Sequence, residues 1–98
     1  MESFSQIIKK GEHIPDNELA SDEDFWAQIR GGYRLKPDYI NLESGWYCIL
    51  PQEILEQYIE HVREVNYQGT YYMRKMMTDN KKEIKNKLAQ LAGSSPEE

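Results

Sequence analysis

The chain has 98 residues, a formal net charge of −5 at pH 7, and 39% hydrophobic and 30% charged residues. A chain of this length forms one domain at most and buries only a small core. Its single cysteine excludes an internal disulfide, and no apolar run approaches the roughly 18 residues that span a bilayer. The N-terminus also lacks the pattern of a signal peptide. We therefore expect a cytoplasmic protein that does not act at a membrane.

Charge is distributed unevenly along the chain. Residues 1–30 hold seven acids and three bases, whereas residues 71–92 hold six bases and two acids. The glycine and proline of the first stretch predict a flexible acidic segment over residues 1–20, with a short amphipathic turn at residues 1–10. Because the chain as a whole is acidic, we do not expect nucleic acid to be its partner.

Two elements are predicted between residues 21 and 42. Ser21, followed by acids in the first turn, predicts the start of a short helix that Gly31 and Gly32 end. Lys36-Pro37 then favours extended backbone. The loosely alternating residues that follow predict a brief strand at 39–42.

Two long amphipathic helices are predicted in the second half. Pro51 suits a first helical turn, and apolar residues recur at helical spacing until "NYQG" ends the helix. Thr70 is predicted to cap the next helix, which runs for about 22 residues until Gly93 ends it. The predicted fold class is therefore mainly α with one short extended strand. "LAGSSPEE" is typical of a turn before a new element. Either the two long helices pack on each other, or the chain is the front piece of a larger protein.

Few residues are candidates for chemistry. Cys48 would need a base to act as a nucleophile, and only His13 and His61 are available. The favoured interpretation is a small, buried or half-buried thiol, and these three residues lack the spacing of a metal site. The carboxylates that recur at helical intervals are typical of a solvated helix face rather than a catalytic pair. They are Glu53, Glu56, Glu60 and Glu64.

The stretch "YYMRKMM", residues 71–77, allows two interpretations. Its tyrosines and bases could form a groove for an anion or a partner, but methionines at helical spacing more often pack in a core. "RGGYR" lacks the spaced glycines of a phosphate-binding loop. No complete catalytic apparatus can be assembled from this chain.

Several weak motifs nevertheless occur in a recognisable order. A "W…R…Y" segment precedes "NL-x-x-G-x-Y", a proline and a helix; an "N…Y-x-x-R" entry to a basic helix, an "LA-x-x-x-G" turn and "PEE" follow. The residues are Trp26, Arg30, Tyr33, Asn41, Leu42, Gly45, Tyr47, Pro51, Asn66, Tyr71 or Tyr72, Arg74, Leu88, Ala89, Gly93, Pro96, Glu97 and Glu98. In this order, residues 22–98 resemble the N-terminal region of the class V aminotransferase family of pyridoxal-phosphate enzymes, in its isopenicillin-N-epimerase-like branch.

This resemblance implies that residues 21–98 are the N-terminal helical arm of a fold type I α/β enzyme. The turn after the first short strand would close the substrate side of the pocket, with glycine allowing close approach and aromatic residues forming a wall. The implied substrate-binding residues are Asn41, Ser44, Gly45, Trp46 and Tyr47. The alternative is an aromatic hinge that only anchors the arm.

The resemblance also implies where the chemistry lies. The parent enzyme would carry pyridoxal 5'-phosphate on a lysine beyond residue 98, so this chain contributes no catalytic or cofactor-binding residue and is not catalytic alone. Its partners would be the rest of the parent enzyme, a homodimer mate and a small amino-acid-like substrate. The reaction would be epimerisation, transamination or C–S cleavage. The competing hypothesis is a free-standing helical protein-interaction module.

Overall fold

The computed structural model describes residues 2–98, of which 62% are helical. The helices are α1 (Phe4–Gly11), α2 (Asp16–Leu19), α3 (Glu23–Gly31), α4 (Gln52–Gln68), α5 (Thr70–Lys75) and α6 (Met77–Ala92). The prediction of a mainly α chain is confirmed, but the strand at 39–42 is wrong, since residues 2–98 contain no strand. A strand requires a hydrogen-bonded neighbour, and the described residues offer it none.

No helix within residues 2–98 is long and apolar enough to cross a membrane.

The chain divides into two compact units, Met1–Ile59 and Glu60–Glu98, which we call the first and second units. Only three apolar residues of the described chain are buried: Ile7 and Phe25 in the first unit and Ala89 in the second. Each unit therefore has a very small core.

The core of the first unit lies where α1 packs against α3. Ser3 and Gln6 form a reciprocal capping box at the start of α1, and Ile7, the next residue, is buried in the contact. Phe25 enters from α3, and Gly11 leaves room for its ring. Part of the acidic segment that we predicted as flexible thus forms helices, α1 and α2.

The start of α3 differs by one residue from the prediction. Asp22, not Ser21, is the N-cap, and its carboxylate accepts a hydrogen bond from the Phe25 N–H at 2.9 Å. The Ser21 hydroxyl instead donates to the carbonyls of Asn17 and Glu18. A carboxylate caps a helix as well as a hydroxyl does, so the local sequence allowed either register.

Hydrogen bonds attach the start of α4 to earlier parts of the first unit. The Gln52 N–H donates to the Gly32 carbonyl at 2.8 Å, and the Phe4 N–H donates to Glu53 Oε2 at 2.6 Å. Pro51 immediately precedes the helix, as predicted. These contacts close residues 33–51 into a loop whose two ends are held together.

The second unit contains the end of α4, then α5 and α6. Thr70 is the first residue of α5 rather than its cap; Gly69, with φ of 57°, holds the cap position without a side-chain hydrogen bond. The single long helix that we predicted is interrupted at Met76, where φ is −115°. Gly93 ends α6 with φ of 68°, which confirms the predicted stop.

Candidate functional site

One face of α3 forms the first wall of a cleft of about 550 Å³ in the first unit. Trp26, Ile29 and Arg30 lie at spacings of three and four residues, which places them on the same side of the helix. Tyr33 continues this face just beyond the helix end. The wall therefore combines apolar surface with a guanidinium and a phenol.

The opposite wall comes from the loop over residues 33–51. Leu35, Asn41, Ser44, Cys48 and Ile49 line it. The bond from Gln52 to Gly32 holds the end of this loop beside the end of α3. Side chains of this loop therefore line the same cleft as those of α3, although the loop has no regular secondary structure.

The aromatic residues of the cleft are held by specific contacts. The Trp26 indole N–H donates to the Leu19 carbonyl at 2.8 Å, and the Trp26 ring meets Phe25 edge-on at 5.1 Å. The Tyr33 ring meets Phe4 edge-on, with centroids 5.9 Å apart. Such contacts add to burial and favour one ring orientation.

The charge of the cleft is opposite to that of the chain. The chain carries −5, yet the described residues that line this cleft include Arg30 and no carboxylate. The amide of Asn41 and the hydroxyls of Ser44 and Tyr33 add hydrogen-bond donors. Apolar walls with a few convergent donors and one cation are suited to a small anionic ligand.

The five residues for which we predicted substrate contacts lie in different surroundings. Asn41 and Ser44 line the cleft, whereas Gly45, Trp46 and Tyr47 are not among its lining residues. Trp46 is 95% exposed and Tyr47 is 68% exposed. Their role as a group stays a prediction, and the structure brings two of them beside Arg30.

Glu43 shapes the turn that these residues share. Its Oε1 accepts hydrogen bonds from the N–H groups of Gly45 and Trp46, the latter at 3.2 Å. The same carboxylate oxygen lies 2.5 Å from where a Cβ on Gly45 would stand, but Glu43 is flexible enough to move. The turn is therefore organised by its own side chain, and Gly45 does not have a positive φ.

This arrangement does not fit the phosphate of pyridoxal 5'-phosphate. A phosphate cup needs several free backbone N–H groups or a helix N-terminus, and here an acid already occupies the N–H groups of the turn. We therefore assign no cofactor contact to this segment.

Three of the lining residues were predicted as part of a family motif but not as part of a site. Trp26, Arg30 and Tyr33 follow each other at intervals of four and three residues, and this spacing already indicates a shared helix face. The spacing does not predict the loop that lines the rest of the cleft. Only the fold supplies that wall.

The other candidate chemical groups remain unassembled. Cys48 is an exposed free thiol, so the interpretation of a buried or half-buried thiol is wrong. Neither His13 nor His61 lines its cleft. Within residues 2–98, no group of three or more His, Cys, Asp or Glu side chains is placed to hold a metal ion. Cys48 therefore lacks the adjacent base that an activated nucleophile requires.

A second cleft, of about 500 Å³, lies within the second unit. Of the "YYMRKMM" stretch, Tyr72 and Met76 line it, and the Tyr72 hydroxyl accepts a hydrogen bond from Asn80 at 3.2 Å. Met73 and Met76 are exposed, so the interpretation of the methionines as core is wrong for these two. Glu64 and Glu83 make this cleft acidic, unlike the one beside Arg30.

Comparisons of the chain with known protein families, with curated proteins and with solved structures each found no match.

Proposed function

We propose that this chain is the N-terminal segment of a pyridoxal-phosphate-dependent enzyme of the class V aminotransferase family, in the isopenicillin-N-epimerase-like branch. The enzyme acts on an amino-acid-type substrate. The order of motifs from Trp26 to Gly93 supports the family, and the segment alone is not catalytic.

The observation that carries the proposal is the exposure of the segment that most resembles the family. Leu42 is 92% exposed and Trp46 is 95% exposed, on a loop that makes no strand pairing within residues 2–98. Large apolar side chains gathered in one exposed segment mark a contact surface. In the proposed enzyme this surface contacts the large cofactor domain.

The helices support the same interpretation. Tyr58 and Val62 of α4 and Ile84, Leu88 and Leu91 of α6 are all exposed, although each set recurs at helical spacing. An amphipathic helix is stabilised by covering its apolar stripe. In the proposed enzyme the stripes are covered by the main α/β domain or by the dimer mate.

The division of labour in the proposed enzyme follows from the residues present. Pyridoxal phosphate stabilises the carbanion that forms next to an amino group, and the residues that hold it lie in the remainder of the enzyme. The present chain contributes the cleft beside Arg30, whose donors and apolar walls suit an amino-acid ligand.

The test is to purify the native protein that contains this segment and to record its mass spectrum and visible absorbance together. The expected result is a polypeptide much larger than 11.6 kDa, or a companion chain, with the yellow absorbance of bound pyridoxal phosphate. Treatment with borohydride should attach the cofactor irreversibly to a lysine outside the 98 residues. A single colourless species at 11.6 kDa would contradict the proposal.

A free-standing interaction module is the second candidate, favoured by the same exposed stripes on α4 and α6. It predicts that the isolated chain, at 11.6 kDa, forms a stable and colourless complex with another protein. Mutation of the α6 stripe to serine would then abolish that complex.

A further inference from the structure

We infer that the cleft beside Arg30 binds the carboxylate of a small apolar acid, with Arg30 as the anion-binding residue. This deepens the proposed function, and it rests on that function only in taking an amino acid as the natural ligand. The anion contact itself is a property of the first unit.

The first reason is that Arg30 has its hydrogen-bond donors available. Within residues 2–98, the ion pairs engage Lys10, Lys36, Arg63 and Lys87, and none engages Arg30. Arg30 also makes no side-chain hydrogen bond there, whereas Arg63 of the second unit is paired with Glu60. A planar guanidinium without a carboxylate partner is suited to a bidentate contact with a ligand carboxylate.

The second reason is the charge of the residues that line the cleft. Acidic residues outnumber basic ones in this chain by 17 to 12, yet none of the residues lining the Arg30 cleft is acidic. The clefts lined by Glu64 and Glu83, and by Glu12 and Asp16, would instead repel an anion. An anion beside Arg30 would therefore be attracted by the guanidinium and repelled by none of the lining residues.

The third reason concerns the rest of the ligand. Trp26, Ile29, Leu35 and Ile49 give the cleft that contains Arg30 apolar walls. The hydroxyl of Ser44 and the amide oxygen of Asn41 can accept hydrogen bonds, for example from an amino group. The arrangement fits a carboxylate carried on a short apolar chain better than an inorganic anion.

The 98-residue chain supplies its own reporter. Trp26 lines the cleft and Trp46 does not, so a Trp46→Phe background leaves one tryptophan, in the cleft. The probes are isocaproate, which has the carbon skeleton of leucine, and isocaproamide, which has the same shape without the charge. Titration of each is followed by Trp26 fluorescence, and circular dichroism verifies that every variant keeps its helices.

The expected result is a saturable fluorescence change with isocaproate, at millimolar concentration or below, and binding of isocaproamide weaker by about tenfold. Arg30→Met should weaken isocaproate binding by about tenfold. Arg30→Lys should weaken it by less, because lysine keeps the positive charge but lacks the paired, planar N–H donors of the guanidinium. Arg34→Met is the matched control: it removes the same charge from outside the cleft and should change the Kd by less than about twofold.

Three results would overturn the inference. Equal binding of isocaproate and isocaproamide would mean that the cleft recognises only apolar surface. Equal losses in Arg30→Met and Arg34→Met would mean that net charge, not Arg30, attracts the anion. An absence of saturable binding by the folded chain would remove the site, and would leave the cofactor test on the native protein unaffected.

Discussion

The two units of this chain are stabilised by different kinds of contact. In the first unit, residues far apart in sequence are in contact. Ile7 and Phe25 share a core, and the carboxylate of Glu53 accepts a hydrogen bond from the Phe4 N–H. In the second unit, most side-chain bonds join residues three or four positions apart, as between Glu83 and Lys87 at 2.6 Å, and the longest, between Tyr72 and Asn80, spans eight. The first unit therefore depends on tertiary packing, and the second on helix propensity and helix ends.

The largest expected effect is on the core of the first unit. Phe25→Ala removes a ring that is only 8% exposed and should lower the free energy of unfolding by about 3 kcal/mol. Hydrogen exchange should accelerate in α1 and α3 and stay unchanged in α6. Trp46→Ala, an aromatic truncation at an exposed position, is the control and should cost less than about 0.5 kcal/mol. Equal acceleration in α6 would contradict the separation into two units.

A second substitution tests the same core from its other side. A Cβ on Gly11 would lie 2.7 Å from the Phe25 ring, so Gly11→Ala should destabilise the first unit by about 1–3 kcal/mol. Gly31→Ala provides the comparison, because nothing lies within 4 Å of its Cβ position. That change should be neutral or stabilising by about 0.5 kcal/mol. Urea unfolding measures both, and equal effects would show that the ring moves aside without cost.

The second unit should respond instead to changes at helix ends. Gly93 has φ of 68°, which an alanine adopts only at a cost of about 1 kcal/mol. Gly93→Ala should therefore weaken exchange protection in the last turn of α6 and leave α1 and α3 unaffected. Ser94→Ala, next in the chain, should have almost no effect. Unchanged exchange protection in α6 would mean that the end of this helix does not depend on the left-handed conformation of Gly93.

The smallest effect concerns pH. The Lys87 ammonium donates a hydrogen bond to Glu83 and attracts its negative charge, and both lower the pKa of Glu83 below the usual glutamate value. The stabilisation is complete above the unfolded-state pKa and is lost as the pH falls through the lower folded-state pKa. It should be small and sensitive to salt, because both side chains of the pair are exposed.

An NMR titration of the Glu83 side chain measures this shift directly. In Lys87→Met the pKa of Glu83 should rise toward its usual value, and the acid-side loss of α6 helicity should become smaller. A Glu83 pKa that is the same in both proteins would mean that the pair does not form in solution.

Features set by local physics were predictable. Helix α4 after Pro51, the stop at Gly93 and a helix ended by Gly31 and Gly32 depend on spacing and on residues a few positions apart. Two errors also concerned local structure. Asp22 and not Ser21 caps α3, and Gly69 and not Thr70 holds the cap position of α5, because several neighbouring residues could occupy these positions.

Features that depend on distant residues were not predictable from the pattern. The strand at 39–42 failed since it has no partner within the described chain, and the segment instead lines a cleft through Asn41. Phe25 is buried and Trp26 is not because of where α1 lies. Arg30 and Ser44 line one cleft because of the path of the 33–51 loop. Periodicity places a residue on a face of its own helix, whereas only the path of the remaining chain decides what that face meets.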